Sequence, residues 1–386
     1  MTATVTVSAR GAARWRAGHP WIYRSDVDDA RAAPGVVTVR DRRRRVVGRA
    51  LWSPASEIRL RMLSHDDAPI DRDWWRRAFD RAARRRADIA IDATAFRLVH
   101  AEGDGLPALV VDRYGDYLVA QLLSAGLEAV RDDVLGALHD AFRPAGILLR
   151  HDVSVRRHER LGMEVEDATG AVPDEVEVRE GAVRYVARLR TGQKTGAFLD
   201  QRENRLLVGA GSRGTALDVF AYHGLFALHM AAGAASVIAV ESSGPALEAA
   251  RGNASLNGIG NIEWLEANAF DALRGFEREG RRFDVVVLDP PAFAKQKDSL
   301  QRATAAYKEI NLRAARLLAP GGVMLTCSCS FHLTRSRFLD MLAAAAADSG
   351  RRLVLERLVG QAGDHPEVIT IPETGYMKGA LLRAAE

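Results

Sequence analysis

The sequence predicts a doubly wound α/β domain in its C-terminal half, preceded by a small β-rich unit and a middle α+β region, and three observations predict it. Beyond residue 200, short apolar runs alternate with stretches of helical length, as a parallel sheet with crossover helices requires. One run, Phe283 to Leu288, is valine-rich and stops at Asp289-Pro290-Pro291, which reads as a buried strand delivering a carboxylate to its C-terminal edge. The first part of the chain instead alternates apolar with polar residues and is punctuated by Gly35 and Gly48.

Residues 1–68 contain VTVSA, then VVTVRDRRRRVVGRALW folding back at Arg42, Arg43, Arg44 and Arg45, then EIRLRML, and are expected to form an all-β unit. His19 to Tyr23 reads as a core anchor. From Ile70 to about Ala90, Trp74, Ala78, Phe79 and Ala82 recur at helical spacing with arginines on the other face, so a connecting helix is expected. Residues 69–190 are otherwise mixed: a hairpin at Tyr114-Gly115-Asp116, a helix from Val130 to Phe142, and strands at Gly146 to Arg150 and within Glu175 to Arg190.

The polar stretch Thr191 to Arg202 opens residues 191–386 and leads into a helix about Glu203 to Val208. Strands follow at Ala216 to Val219, Ser236 to Val240, Ile262 to Leu265 and Phe283 to Leu288, separated by helices about Leu225 to Ala232, Pro245 to Leu256 and Phe270 to Glu279. A further strand, Val323 to Thr326, emerges from a Pro320-Gly321-Gly322 turn and runs into Cys327-Ser328-Cys329-Ser330.

Composition narrows the class. With 47% hydrophobic and 27% charged residues among 386, the chain is an ordinary globular protein. No run approaches the roughly 20 apolar residues needed to cross a bilayer, and the N-terminus carries no apolar signal core, so a cytoplasmic protein with no membrane partner is expected. Two cysteines are too few for a disulfide framework or a zinc site, and no metal is expected. Residues 1–100 hold 21 Arg, no Lys and 12 acidic residues, while the whole chain nets only +4. Such a distribution suits a polyanion-binding module, in which Arg42 to Arg45, Arg59 and Arg61 would neutralise phosphates. It suits equally a general preference for arginine, because the chain has only five lysines.

The strand ends specify a ligand. Glu241 closes the second strand of the α/β domain, where an acid can accept both hydroxyls of a ribose. The turn after the first strand, Phe220 to Phe226, has a single glycine, Gly224, and is poorly built to close backbone amides on a pyrophosphate. A nucleoside without phosphates, S-adenosylmethionine, fits better, with Asn268 placed to read an adenine edge.

Several stretches then match a known family. TGQKTGAFLDQREN, VFAYHGLFAL, VVVLDPPAFAKQK, YKEINLRAARLLAPGG and TCSCS, with HPWIY, SPASEIR and DHPEVITIPETGYMKG, together resemble the bacterial 23S rRNA 5-methylcytosine methyltransferases of the large-subunit methyltransferase I type. The resemblance spans nearly the whole chain. It implies an RNA-binding PUA-like domain at residues 1–68, a middle α+β domain at 69–190 and a class I (Rossmann-like) methyltransferase domain at 191–386. It also implies S-adenosyl-L-methionine as cofactor, held by Lys194, Thr195, Asp200, Phe220, Tyr222, Gly224, Glu241, Asn268 and Asp289. The implied partner is 23S rRNA, and a homodimer is a further expectation. Ala292 and Asn268 depart from the family pattern, which often has a basic residue and an acid at those places.

Carried over from the family, Cys329 is the nucleophile and Asp289 the acid that contacts the base. The chemistry agrees, since C5 of cytosine becomes a nucleophile once a thiolate adds at C6. Cys327 competes for the role, because residues i and i+2 of a strand share a face. Methylation of guanine or of an exocyclic amine on a similar fold, and a non-catalytic RNA-binding assembly factor, are the alternatives. The thiol tract argues against the first and the cofactor-site residues against the second.

Overall fold

The computed structural model describes residues 2–28, 30–293 and 300–385. The chain forms two compact units: Met1–Glu180, Val186–Asp200 and Gly363–Gly375 make the first, and Gly181–Tyr185, Gln201–Ala362 and Tyr376–Glu386 the second. The end of the DPPAFAKQK motif, from Ala294, lies outside the described residues.

The first unit begins with β1 (Thr4–Val7), α1 (Ala9–Arg16), β2 (Trp21–Ile22), β3 (Gly35–Asp41), β4 (Val46–Trp52) and β5 (Leu60–Ser64), in a sheet ordered β1-β3-β4-β5-β2. The expected all-β unit therefore contains a helix. Ser8 caps it by accepting the Gly11 amide, and the run ARGAARWR is rich in good helix formers. Gly48, at φ 145°, lets β4 pass β5: a Cβ there would stand 2.0 Å from the Ser64 carbonyl oxygen.

The connecting helix is α2 (Arg72–Asp88), capped by Asp71, and it buries Trp75 rather than the expected Trp74, together with Ala78, Phe79 and Ala82. Its apolar face packs in one core with residues of β6 (Ala95–His100), β7 (Leu109–Tyr114), β8 (Tyr117–Leu122), α3 (Ala125–Glu128), α4 (Arg131–Phe142) and β9 (Gly146–Arg150). After α5 (Val155–His158), β10 (Val165–Thr169) completes a sheet ordered β10-β9-β8-β7-β6. The division between the units falls at the hairpin of β11 (Glu175–Glu180) and β12 (Val183–Arg188).

The second unit holds α6 (Arg202–Gly211), β13 (Thr215–Val219), α7 (Leu225–Ala231), β14 (Ser236–Glu241), α8 (Gly244–Leu256), β15 (Ile262–Glu266), α9 (Ala269–Arg278) and β16 (Phe283–Leu288). It continues through α10 (Leu300–Leu317), β17 (Leu318–Ser328), α11 (Arg335–Ser349), β18 (Leu353–Val359) and β19 (Lys378–Ala384). The sheet runs β15-β14-β13-β16-β17-β19-β18, parallel through β17 and antiparallel at β19 and β18. Along β16, Val285 and Val287 enter one core while Val286 and Leu288 enter the other, so both faces are covered. That is why the strand reads as an unbroken apolar run. The expected turn at Pro320-Gly321-Gly322 is instead an irregularity within β17: Phe283 pairs with Leu318 and Val285 with Val323.

Candidate active site

From β13 the sheet order runs outward through β14 and β15 on one side and through β16 and β17 on the other. The crevice beyond the carboxyl ends of strands at such a switch point is where a ligand settles in an α/β sheet.

After β13 the chain turns through Phe220 (φ 69°), Tyr222 (φ 49°) and Gly224 (φ 75°). Two non-glycine residues in the left-handed region need support from their surroundings. The amides of Phe220 and Ala221 each donate to the Val240 carbonyl at 3.0 Å, and the Tyr222 amide donates to Glu241 Oε2 at 3.0 Å. Gly224 is required by space as well as by its φ, since a Cβ would lie 2.6 Å from the Trp264 ring.

Glu241 ends β14, and its Oε1 accepts the amides of Ser242 at 2.8 Å and Ser243 at 2.9 Å. Oε2 accepts the Tyr222 amide and retains a lone pair for a hydroxyl donor. Asn268 caps α9, its Oδ1 accepting the Phe270 amide at 2.9 Å, which leaves its NH2 to donate to a ligand. Phe220, Glu241, Ser242, Asn268, Phe270 and Phe293 are among the residues lining a cavity of about 190 Å³. Aromatic walls with one carboxylate and one amide suit a purine nucleoside, and so fit the adenosine of S-adenosylmethionine. Tyr222 and Gly224 do not line this cavity; they shape the turn behind it.

Asp218 is almost wholly buried in β13, and its Oδ2 accepts the Ala227 amide at 3.0 Å while Oδ1 has no hydrogen-bond partner among the described residues. Burial, opposed by that amide and reinforced by the charges of Asp289 and Glu241, pushes its carboxyl up to about 8. An acid so placed is neutral at neutral pH.

Asp289 follows β16. Gln201 Nε2 donates to its Oδ1 at 2.8 Å, and Asn204 Nδ2 donates to Gln201 Oε1 at 2.6 Å. On the neighbouring strand Leu288 pairs with Thr326, so Asp289 and the cysteine tract leave adjacent strands at the same edge. Cys327 is buried in a core with Val285, Val287 and Leu325, whereas Cys329 is half-buried and lies beyond Ser328, the last residue of β17. Cys329 thus lies past the regular strand, where the i and i+2 alternation ends. Tyr307, buried on α10, joins the exits of both strands: its hydroxyl stands 2.9 Å from Ser330 Oγ and donates to the Pro291 carbonyl at 3.4 Å. Lys378 on β19 donates to the Ser330 carbonyl at 2.7 Å.

Lys194, Thr195 and Asp200 belong to the first unit and do not line the cavity of the second. Thr195 is buried, donating to Asp112 Oδ2 at 2.6 Å with its hydroxyl 3.0 Å from that of Tyr114, and Lys194 pairs with the buried Asp200. Of the expected phosphate-binding arginines, Arg43 and Arg44 are exposed at the β3–β4 turn. Arg42 is paired with Asp28 at 2.9 Å and Arg45 with Asp41 at 2.7 Å, both at the surface. Arg59 is half-buried against the Trp52 ring. Arg61 is a correction: it is buried and paired with the buried Glu159 at 2.9 Å, which removes it from any RNA-facing surface.

Sequence reasoning missed Asp218, Gln201 and Tyr307. An aspartate within the apolar run ALDVF is a signal that could have found the first. Gln201 and Tyr307 carry no such signal, since each looks like an ordinary helix-start or helix-core residue.

A model of S-adenosylmethionine-dependent methyltransferases matches residues 97–382, and a PUA-like domain model matches residues 5–65. The chain is 39% identical over 377 residues to the ribosomal RNA large subunit methyltransferase I of Aeromonas salmonicida, covering 95% of each. It is 39% identical over 376 residues to the protein so named in Shewanella amazonensis, again covering 95% of each. Among solved structures it resembles a putative S-adenosylmethionine-dependent methyltransferase from Streptococcus mutans, with a TM-score of 0.82 and 18% identity over 99% of this chain and 100% of that one. A putative methyltransferase solved with SAH shares the fold at a TM-score of 0.84 and 19% identity, over 99% of this chain and 100% of that one.

Proposed function

We propose that this chain, which belongs to the ribosomal RNA large subunit methyltransferase I family of S-adenosylmethionine-dependent methyltransferases with a PUA-like domain, forms 5-methylcytosine in 23S rRNA through a covalent cysteine adduct. The observation that carries the reading is the pairing of two chemistries at one sheet edge: a half-buried thiol, Cys329, leaving β17 beside the carboxylate of Asp289 leaving β16.

Glu241 would hold the ribose hydroxyls, Asn268 the adenine edge, and Phe220, Phe270 and Phe293 the ring faces. The cofactor supplies an electrophilic methyl group on a sulfonium. The thiolate of Cys329 forms a bond to C6 of the cytosine, and the C5=C6 electron pair moves onto C5 while Asp289, as the carboxylic acid, donates its proton toward N3 of the base. Once C5 carries the methyl group, a base takes the C5 proton, the C5=C6 bond re-forms and the thiolate leaves. Gln201 fixes the Asp289 carboxylate for this contact. A cytoplasmic site of action agrees with thiols that must stay reduced.

An rRNA fragment carrying 5-fluorocytosine tests the reading, because the fluorine cannot leave C5 as a proton does and the adduct is trapped. Wild type and Cys327→Ala are expected to give a protein–RNA species that survives denaturation, and Cys329→Ala none. Trapping by Cys329→Ala but not Cys327→Ala would reverse the assignment, and methylation surviving both substitutions would exclude a thiol nucleophile.

A further inference from the structure

Helix α2 carries seven arginines, and the structure treats them in two ways. Arg72 pairs with Asp140 at 2.7 Å, Arg76 with Asp80 at 3.3 Å, and Arg86 is buried against Asp104 at 2.6 Å. Arg77, Arg81, Arg84 and Arg85 are all exposed, and none has an acidic partner among the described residues. Their spacing of four, seven and eight residues from Arg77 puts them on one face, away from buried Trp75, Phe79 and Ala82. Successive members of the row rise about 6 Å along the axis for every four residues.

A row of like charges is not neutral for the helix. Arginines four residues apart repel, costing on the order of 0.2–0.5 kcal/mol per pair. The helix macrodipole favours Arg85 in the last turn but not Arg77 and Arg81 in the middle. The acids Asp73 and Asp80 both face Arg76, and Asp88 is the one acid that closes the row at its C-terminal end. A solvated face at no cost would intersperse the two signs, as the rest of this helix does.

We infer that the Arg77–Arg81–Arg84–Arg85 face of α2 is a second RNA-docking surface, binding the phosphate backbone of the folded rRNA substrate independently of its sequence. Guanidinium forks match phosphate oxygens in pairs, and a helix with one basic row can follow a phosphate strand over about two turns. This surface lies outside the sheet of β1 to β5, where the exposed tip at Arg42 to Arg45 is half neutralised by Asp28 and Asp41. The inference rests on the RNA substrate of the reading above and not on its cytosine chemistry.

The test uses the full-length protein and an rRNA fragment, with the dissociation constant measured from 50 to 300 mM salt, a range on the order of the Debye-length regime that screens such contacts. Each phosphate contact contributes about 0.7 to 0.9 to the log–log slope. Replacing all four arginines by Gln is expected to lower the slope by about 3 while leaving the affinity for S-adenosylmethionine unchanged. Replacing all four by Lys is expected to restore most of the slope, since the charge is kept. A control that replaces the paired Arg72 and Arg76 by Gln is expected to change it little. A Gln variant that remains folded, with slope and affinity equal to wild type, overturns the inference alone. Loss of binding to anionic phospholipid vesicles with RNA binding intact also overturns it, by assigning the face to a membrane. A wild type that binds rRNA without salt dependence overturns the inference alone, a wild type that binds no rRNA removes the inference and its premise together, and the covalent trap reads the chemistry separately.

Discussion

Asp218→Asn turns the buried acid of β13 into a neutral isostere and reads the electrostatics of the site directly. In the native protein the carboxyl stays protonated up to about pH 8, held there first by burial. In the unfolded chain it ionises at about 3.9. Between those values the unfolded state has released a proton that the native state keeps, so stability falls as pH rises through the window and is constant above it. Each pH unit costs about 1.4 kcal/mol, and the interval from about pH 5 to about pH 8 costs roughly 4 kcal/mol. The Asn variant keeps an acceptor for the Ala227 amide and carries no such penalty. It is expected to match wild type closely below about pH 4 and to be more stable by several kcal/mol near pH 8. Guanidinium titration at each pH, followed by hydrogen exchange of the β13 and β16 amides, isolates the second unit. A stability difference that is flat across that range would mean that Asp218 is already ionised and solvated in the native state, and would refute the argument.

Glu241→Gln should weaken S-adenosylmethionine binding by about 1.5 to 3 kcal/mol, as expected for a hydrogen bond to a charged acceptor, with Glu241→Ala worse because the Tyr222 turn loses its anchor as well. Isothermal titration measures both, and an unchanged dissociation constant in a folded variant removes Glu241 from the site. Gly224→Ala should destabilise the protein by roughly 1–3 kcal/mol or more through its positive φ and its contact with Trp264, read as a lowered thermal midpoint. Arg43→Gln with Arg44→Gln should lower the salt slope of RNA binding by about 1.5, and an identical slope would make the hairpin tip merely solvated.

How far the sequence reached can be followed residue by residue. Glu241 and Asp289 were legible because a parallel strand covered on both faces must be apolar along its length, and Asn268 because it follows the third strand of the β/α alternation. Polar residues at its carboxyl end then stand out, and that end is also where the fold places ligands. Glu241, Asn268 and Phe220 meet in one cavity, while Asp289 and Cys329 leave neighbouring strands. The single glycine of the Phe220 to Gly224 turn was legible for a similar reason, since a positive φ and a close approach to Trp264 both demand it.

Other residues were decided only by the tertiary structure. Arg61 reads like Arg43 in sequence, yet its charge is buried against Glu159, 98 residues away, and a pairing so distant leaves no local pattern. Thr195 and Asp200 sit in a polar, glycine-containing stretch that looks like a ligand loop, and the conformation of that stretch is set by Asp112 and Tyr114, distant in sequence, which hold Thr195, and by Lys194, which pairs with Asp200. Gln201 becomes the support of Asp289 through a contact spanning 88 residues. Of two thiols separated by one residue, the end of β17 at Ser328 alone decides which is core and which is accessible. By itself the sequence determined the alternation of buried strands and the chemistry at their ends, because hydrophobic periodicity is local. Which charged and polar side chains are free to meet a substrate was decided by packing between distant segments, because burial of a charge is permitted only where the fold supplies its partner.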